Sequence, residues 1–216
     1  MDITPHNIIT SKTARYYTAG KIDASARELW FIIHGYGQLA VEFINEFPYL
    51  ASEGSAVAAP EALSRFYNRS RPGASWMTKE DRENEIHDYV IYLDLVAEEI
   101  STHLNSACRF NLLGFSQGVH TAIRWFCKGK PEFTRLLMCS SDIPGDLEYN
   151  ALLKRSKNSA LYYICGRKDE FVSPATFEAG KAVLEENGVN YEAVPFEGNH
   201  RVNHELIRSL AASGSK

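Results

Sequence analysis

Short apolar runs alternate along this chain with longer segments whose apolar residues recur every three or four positions. The runs at 14–20 (ARYYTAG) and 28–35 (ELWFIIHG) read as two strands joined by a short polar loop. Residues 40–52 begin with helical spacing and carry Pro48 as a stop signal. A third strand is expected at 54–60, and 61–77, rich in Arg, Ser, Pro and Gly, reads as a loop. The clearest helix follows. Thr78 and Asp81 stand at roughly capping-box spacing. Beyond them Ile86, Tyr89, Val90, Leu93, Val96, Ile100 and Leu104 line one face over about five turns. Strands are then predicted at 108–115, 133–141, 160–166 and 191–198, and helices at 118–129, 175–187 and 202–212.

Strands alternating with helices of this length predict a mostly parallel central sheet with helices on both faces. No repeat, low-complexity tract or linker interrupts the 216 residues, so one domain spanning 1–216 is expected. Composition changes little in this picture, with 44% apolar and 23% charged residues. The net charge of −4 is spread along the chain without a basic stripe, which argues against nucleic acid as a partner. No apolar run approaches the roughly 18 residues of a membrane span. The start of the chain lacks the basic and apolar blocks of a secretory signal. The four cysteines, Cys108, Cys127, Cys139 and Cys165, lack metal-type spacing and read as free thiols of a cytoplasmic protein.

One stretch points to chemistry. In FNLLGFSQGVH (110–120) an apolar strand stops at Ser116, held between Gly114 and Gly118. By composition alone G-x-S-x-G turns up in about one chain in fifteen of this length, so its setting decides its meaning. Here it lies where a parallel strand gives way to a helix. A sharp turn there forces the serine into a strained conformation and leaves no room for side chains two residues away on either side. The hydroxyl is then held over the sheet edge, beside the N–H groups that open the helix. The plainer alternative is a tight turn whose serine caps the helix.

A serine hydroxyl needs a base, and the base needs an acid to orient it. In this arrangement the expected order along the chain is Ser, acid, His. Three histidines follow Ser116. His120 sits one turn along the same helix, and His204 falls in the first turn of the last one. His200, in the glycine-containing loop after the last strand, is the better placed base. Asp169, in CGRKDEFVSP after the penultimate strand, is the expected acid, with Asp142 after the preceding strand as its rival. Charge developing on the acyl oxygen calls for backbone donors. These are assigned to Gln117, directly after the serine, and Tyr36, between Gly35 and Gly37 in the loop after the first parallel strand. His34, at that strand's end, reads as a structural hydrogen-bonding residue. The His200 and His204 spacing suggests a zinc site, but a zinc peptidase needs Glu after the first His, and Arg201 stands there. No metal is expected.

The motifs IIHGYG (32–37), LLGFSQG (112–118), CGRKDEFV (165–172) and GNHRV (198–202), in that order, resemble those of the phospholipase/carboxylesterase family of α/β-hydrolases. The resemblance spans nearly the whole chain. It implies a single-domain α/β-hydrolase and Ser116, Asp169 and His200 as a catalytic triad. It also implies hydrolysis of carboxylic ester or thioester bonds of a small-molecule acyl substrate, with no cofactor. Leu113 and Val119 stand where the family usually has glycine. Trp76 is followed by Met77 and Thr78 where the family usually has Phe-Asp. Only about 19 residues separate the strand ending near Ser140 from Asn158, too few for a separate lid domain. The expected site is therefore open. Phe66 and Trp76, with Tyr67, are assigned to an aromatic wall that accepts a few acyl methylenes. The same machinery would also serve an acyltransferase, and the shell alone a non-catalytic binding protein.

Overall fold

The computed structural model describes residues 1–213. Strands β1 (Tyr16–Ala19), β2 (Glu28–Ile33), β3 (Ser55–Pro60), β6 (Arg109–Phe115), β7 (Phe133–Cys139), β8 (Ala160–Gly166) and β9 (Glu192–Phe196) form one sheet. Its order is β1-β3-β2-β6-β7-β8-β9. β1 runs antiparallel to β3 at one edge, and the remaining pairs are parallel. Helices α2 (Arg82–Ser101), α3 (Gln117–Lys128), α4 (Tyr149–Ser156) and α5 (Pro174–Glu186) cover one face, and α1 (Ala40–Ile44) and α6 (His204–Ala212) the other.

The strands obey the two-residue period of a pleated sheet. Leu29, Phe31 and Ile33 join the core under α2 and α3, while Trp30 and Ile32 join the core under α1 and α6. All six residues of β2 are buried, which is why its sequence after Glu28 is apolar without alternation. From β2 the chain moves outward to β3 on one side, then returns through α2 to β6 on the other. The order reverses between β2 and β6, and the carboxyl ends of these two strands frame the crevice where such sheets bind ligands.

Five local expectations are corrected. The helix expected over 40–52 stops at Ile44, and 45–51 continues as turns that bury Phe47 and Leu50. Pro48 has no N–H to give and disfavours helical backbone before it. The segment read as a loop, 61–77, contains an antiparallel hairpin of β4 (Ser64–Asn68) and β5 (Arg71–Ser75). Its two-residue turn places Arg69 at a φ of 56°, a role that Gly or Asn usually fills. Pro72 is tolerated because a strand with one partner is an edge strand. Helix α4 was not expected: it buries Leu152 fully, with Tyr149 and Leu153 partly packed beside it, but its eight residues make only about two turns. At the start of α2 the capping box does not form. Asp81 makes no side-chain cap, and Thr78 instead bonds Glu85 through its backbone N–H and its hydroxyl. The helix ends at Ser101, short of Leu104. No helix among the described residues is long and apolar enough to cross a membrane.

At the amino ends of the central strands the core holds charge. Glu28 accepts a hydrogen bond from Arg109 at 2.6 Å and faces Arg135 at 3.4 Å. Arg135 also donates to Asn111 Oδ1 at 2.9 Å, which Thr134 shares at 2.7 Å. Side chains of three neighbouring strands are thereby stapled together. Removing one partner leaves a buried charge without compensation. Glu28→Ala is expected to cost about 3 kcal/mol of stability, read as a lower urea midpoint with unchanged slope.

Candidate active site

Ser116 joins β6 to α3 with φ 54° and ψ −124°, a backbone conformation that is strained for any residue with a side chain. Its N–H donates to the Cys139 carbonyl at 2.9 Å, which holds the turn against β7. The two glycines explain how the strain is accommodated. A Cβ on Gly114 would lie 2.7 Å from Val119 Cα, inside the first turn of α3. A Cβ on Gly118 would lie 2.6 Å from the His34 carbonyl oxygen and closer still to that of Ile33. Ser116 occupies the N-cap position of α3 but makes no capping hydrogen bond. Its hydroxyl instead lies 3.0 Å from His200 Nε2.

His200 sits in the loop between β9 and α6, and its Nδ1 lies 2.9 and 3.0 Å from the two oxygens of Asp169. The Asp169 side chain has no exposure to solvent. Burial by itself raises its pKa. Hydrogen bonds from the Val172 N–H, the His200 ring and the Phe171 N–H outweigh that and hold the carboxyl below its ordinary range. His200 Nδ1 therefore carries its proton toward a carboxylate, leaving Nε2 to accept from the serine. Two rings flank the imidazole, the buried Phe115 at 5.0 Å and the exposed Phe171 at 4.7 Å between centroids. The rival residues are engaged elsewhere. His204 contacts Tyr49 and Glu46, and His120 pairs with Asp142 at 2.8 Å.

The loop after β2 passes directly beside the serine. A Cβ on Gly35 would meet Ser116 Cβ at 3.2 Å. The Gly35 N–H donates to Gln38 Oε1 and the Gly37 N–H to the Ala74 carbonyl. Among the described residues the Tyr36 N–H between them has no partner, and neither has the Gln117 N–H at the start of α3. His34 orients this loop from below. Its Nε2 accepts the Ala62 N–H at 3.1 Å, so its proton resides on Nδ1, which donates to the Gly35 carbonyl at 2.8 Å. In a trans peptide the N–H points opposite the carbonyl, so pulling Gly35 O inward turns the Tyr36 N–H outward. Burial keeps the imidazole neutral and lowers its pKa from 6.5 to about 4.

Of the three aromatic residues assigned to an acyl wall, Tyr67 is exposed on β4, and the structure separates one from the mouth. Trp76 is 2% exposed; its indole N–H donates to the His34 carbonyl at 2.9 Å and its ring packs on Tyr89. It belongs to the core beneath the loop. Phe66 remains at the mouth, stacked on the exposed Tyr36 at 5.1 Å. Sequence reasoning missed the Gln117 side chain, which accepts the Trp76 N–H and donates to the Met77 carbonyl. It ties the hairpin's foot to the serine turn.

Among solved structures, acyl-protein thioesterase 2 of Zea mays superposes with a TM-score of 0.71 at 14% identity, covering 93% of this chain and 99% of its own. The Bacillus cereus carboxylesterase gives 0.68 at 14%, covering 93% and 92%. Arabidopsis thaliana SOBER1 gives 0.68 at 17%, covering 88% and 100%. The chain has the α/β-hydrolase fold. No protein-family model and no curated protein matches its sequence.

Two measurements probe the support under this fold's serine turn. The folded protein keeps His34 neutral down to about pH 4, whereas the unfolded chain protonates it near 6.5. The unfolded state therefore takes up the extra proton within that window, and stability falls as pH drops through it. His34→Gln, which keeps an amide donor and acceptor, is expected to show a shallower decline between pH 6.5 and 4 in urea titrations. Trp76→Ala should cost about 3–5 kcal/mol of stability, as for a large buried aromatic, measured by chemical denaturation.

Proposed function

We propose that this protein is a serine hydrolase that cleaves carboxylic ester and thioester bonds through a covalent acyl-enzyme. The observation that carries the reading is the unbroken hydrogen-bonded line from Ser116 Oγ through His200 to the buried Asp169. Two unpartnered backbone donors, Tyr36 N–H and Gln117 N–H, lie in the segments that flank the serine. In the first half-reaction Ser116 Oγ bonds to the acyl carbon while His200 Nε2 removes its proton. The two N–H groups receive the oxyanion, and Asp169 stabilises the imidazolium. His200 then protonates the leaving alcohol or thiol as its bond to the acyl carbon breaks. Water, deprotonated by the same nitrogen, releases the acid and restores the serine. No cofactor enters any of these steps. Solved structures of the same fold bear the names thioesterase and carboxylesterase, in keeping with this chemistry. Tyr36 and Phe66 offer the acyl group an aromatic surface at an open mouth, which suits small to medium acyl chains. The four free thiols suit a reducing, cytoplasmic setting.

The residue assignments are separable by kinetics on an activated ester. Ser116→Ala should lose roughly 10⁴–10⁶-fold in kcat while remaining folded, and a fluorophosphonate should label wild type once, at Ser116. His200→Ala and Asp169→Asn should each cost several orders of magnitude, whereas His204→Ala and Asp142→Asn should stay within about tenfold of wild type. Turnover of Ser116→Ala near the wild-type rate, or a label on another residue, refutes the reading.

A further inference from the structure

Phe171 has no part in the core. The residue is 75% exposed, two positions from a buried carboxylate. Yet it is not free to wander. Its backbone N–H donates to Asp169 Oδ1 at 2.9 Å, and Val172, directly after it, is anchored to the same oxygen. The ring stands edge to face with His200 at 4.7 Å and 64°. Phe115 fills the inner side of the imidazole, so Phe171 is its solvent-side neighbour.

The chemistry proposed above gives that position a meaning. Tyr36 and Gln117 hold the carbonyl oxygen on one side of the serine, and His200 stands on the other. After taking the proton from Ser116 Oγ, Nε2 must return it to the leaving heteroatom, which therefore comes within about 3 Å of Nε2. The carbons attached to that atom then lie within contact range of the ring packed on the imidazole. Two carboxylates are hydrogen-bonded to His200, Asp169 at its ring and Glu170 at its backbone N–H (3.2 Å). The imidazolium balances Asp169 during acylation, so Glu170 is the added carboxylate beside the histidine, and it favours a neutral leaving group over a negatively charged one.

We infer that Phe171 is the leaving-group contact of this site, and that the preferred substrates are esters or thioesters whose alcohol or thiol half is neutral, apolar and ring-bearing. The assignment rests on the serine-hydrolase reading. It adds a division of labour: Tyr36 and Phe66 receive the acyl half, and Phe171 the half that departs. In the acylation step the bond from Ser116 Oγ to the acyl carbon forms, the bond from that carbon to the leaving oxygen or sulfur breaks, and the serine proton ends on the leaving atom. Phe171 touches only the departing fragment. Its contribution must therefore appear in acylation and vanish from deacylation, when that fragment has gone.

Benzyl and methyl butyrate test this, because the two alcohols are of nearly equal acidity and share one acyl group. Phe171→Ala should lower kcat/KM for the benzyl ester about tenfold, the scale of a lost aromatic contact with its buried area. For the methyl ester the loss should be no more than about twofold. Phe171→Tyr should restore the benzyl preference. The deacylation rate, read as the steady state after the burst with p-nitrophenyl butyrate, should be unchanged in Phe171→Ala. Equal losses on both esters, or slower deacylation, would show that the ring positions His200 instead, since His200 serves both half-reactions. No change on either ester would remove any role for the ring. Fluorophosphonate labelling of Ser116 in wild type separates these outcomes from failure of the underlying reading. Without a label and without turnover of either ester, the hydrolase proposal falls and the assignment with it.

Discussion

Three pieces of backbone meet at the centre of this molecule almost without side chains between them: the end of β2, the end of β6 and the first turn of α3. Gly118 lies against the carbonyls of Ile33 and His34, and Gly114 lies against the start of α3. That approach sets the path of α3 across the sheet and compels the left-handed φ of Ser116. It also draws Gly35 up to the serine's Cβ, which brings the neighbouring N–H groups alongside. The strain at one residue, of order 1–3 kcal/mol, is sustained by a sheet in which β2, beside the serine's own strand, is wholly buried. The site thus rests on a helix-to-sheet distance too short for any side chain at Gly114 or Gly118.

A second tier keeps the loop after β2 from relaxing. It consists of directional bonds more than apolar area. The neutral His34 ring ties the Gly35 carbonyl to the Ala62 N–H, Trp76 bonds the His34 carbonyl, and Gln117 grips the foot of the hairpin. Each partner is buried or nearly so, and in a medium of low dielectric such bonds are strong when made and costly when broken. Two of these residues, His34 and Trp76, are of types that invite a direct chemical role. Here they act on the shape of the backbone beside Ser116.

The sheet was legible because buried parallel strands leave long apolar runs, and because an elbow of Gly-x-Ser-x-Gly needs a strand before it and a helix after it. The order of Ser116, Asp169 and His200 was legible for the same reason, since each follows the carboxyl end of a strand in one sheet. The hairpin was hidden because Arg69 takes a turn conformation that its residue type does not advertise, and because Pro72 and Gly73 look like breakers. Helix α4 was hidden because its eight residues make only about two turns, too short a stretch for the spacing of Tyr149, Leu152 and Leu153 to stand out. The direction of Trp76 was beyond sequence reasoning. Whether a ring at a hairpin's foot points to the mouth or the core depends on which carbonyl its N–H can reach. Phe171 carried no signal either, since its importance lies in a contact with a residue 29 positions away.

The pairing of β2 with β6 has a bearing on how the chain acquires this arrangement. Glu28 and Arg109 open that ladder and lie 81 residues apart, and Ser116 meets His200 across 84. Closing a loop of that length costs roughly 4 kcal/mol in chain entropy beyond the fixed cost of any closure. A bare ladder of a few residues does not repay that until α2 and α3 have docked on it. Local turns and helices come early under such a balance, and the central ladder forms together with the burial of its flanking helices. No partly assembled intermediate then presents a serine beside a histidine. On refolding, the contact between Ser116 and His200 would track completion of the whole sheet, and lag behind the recovery of helix.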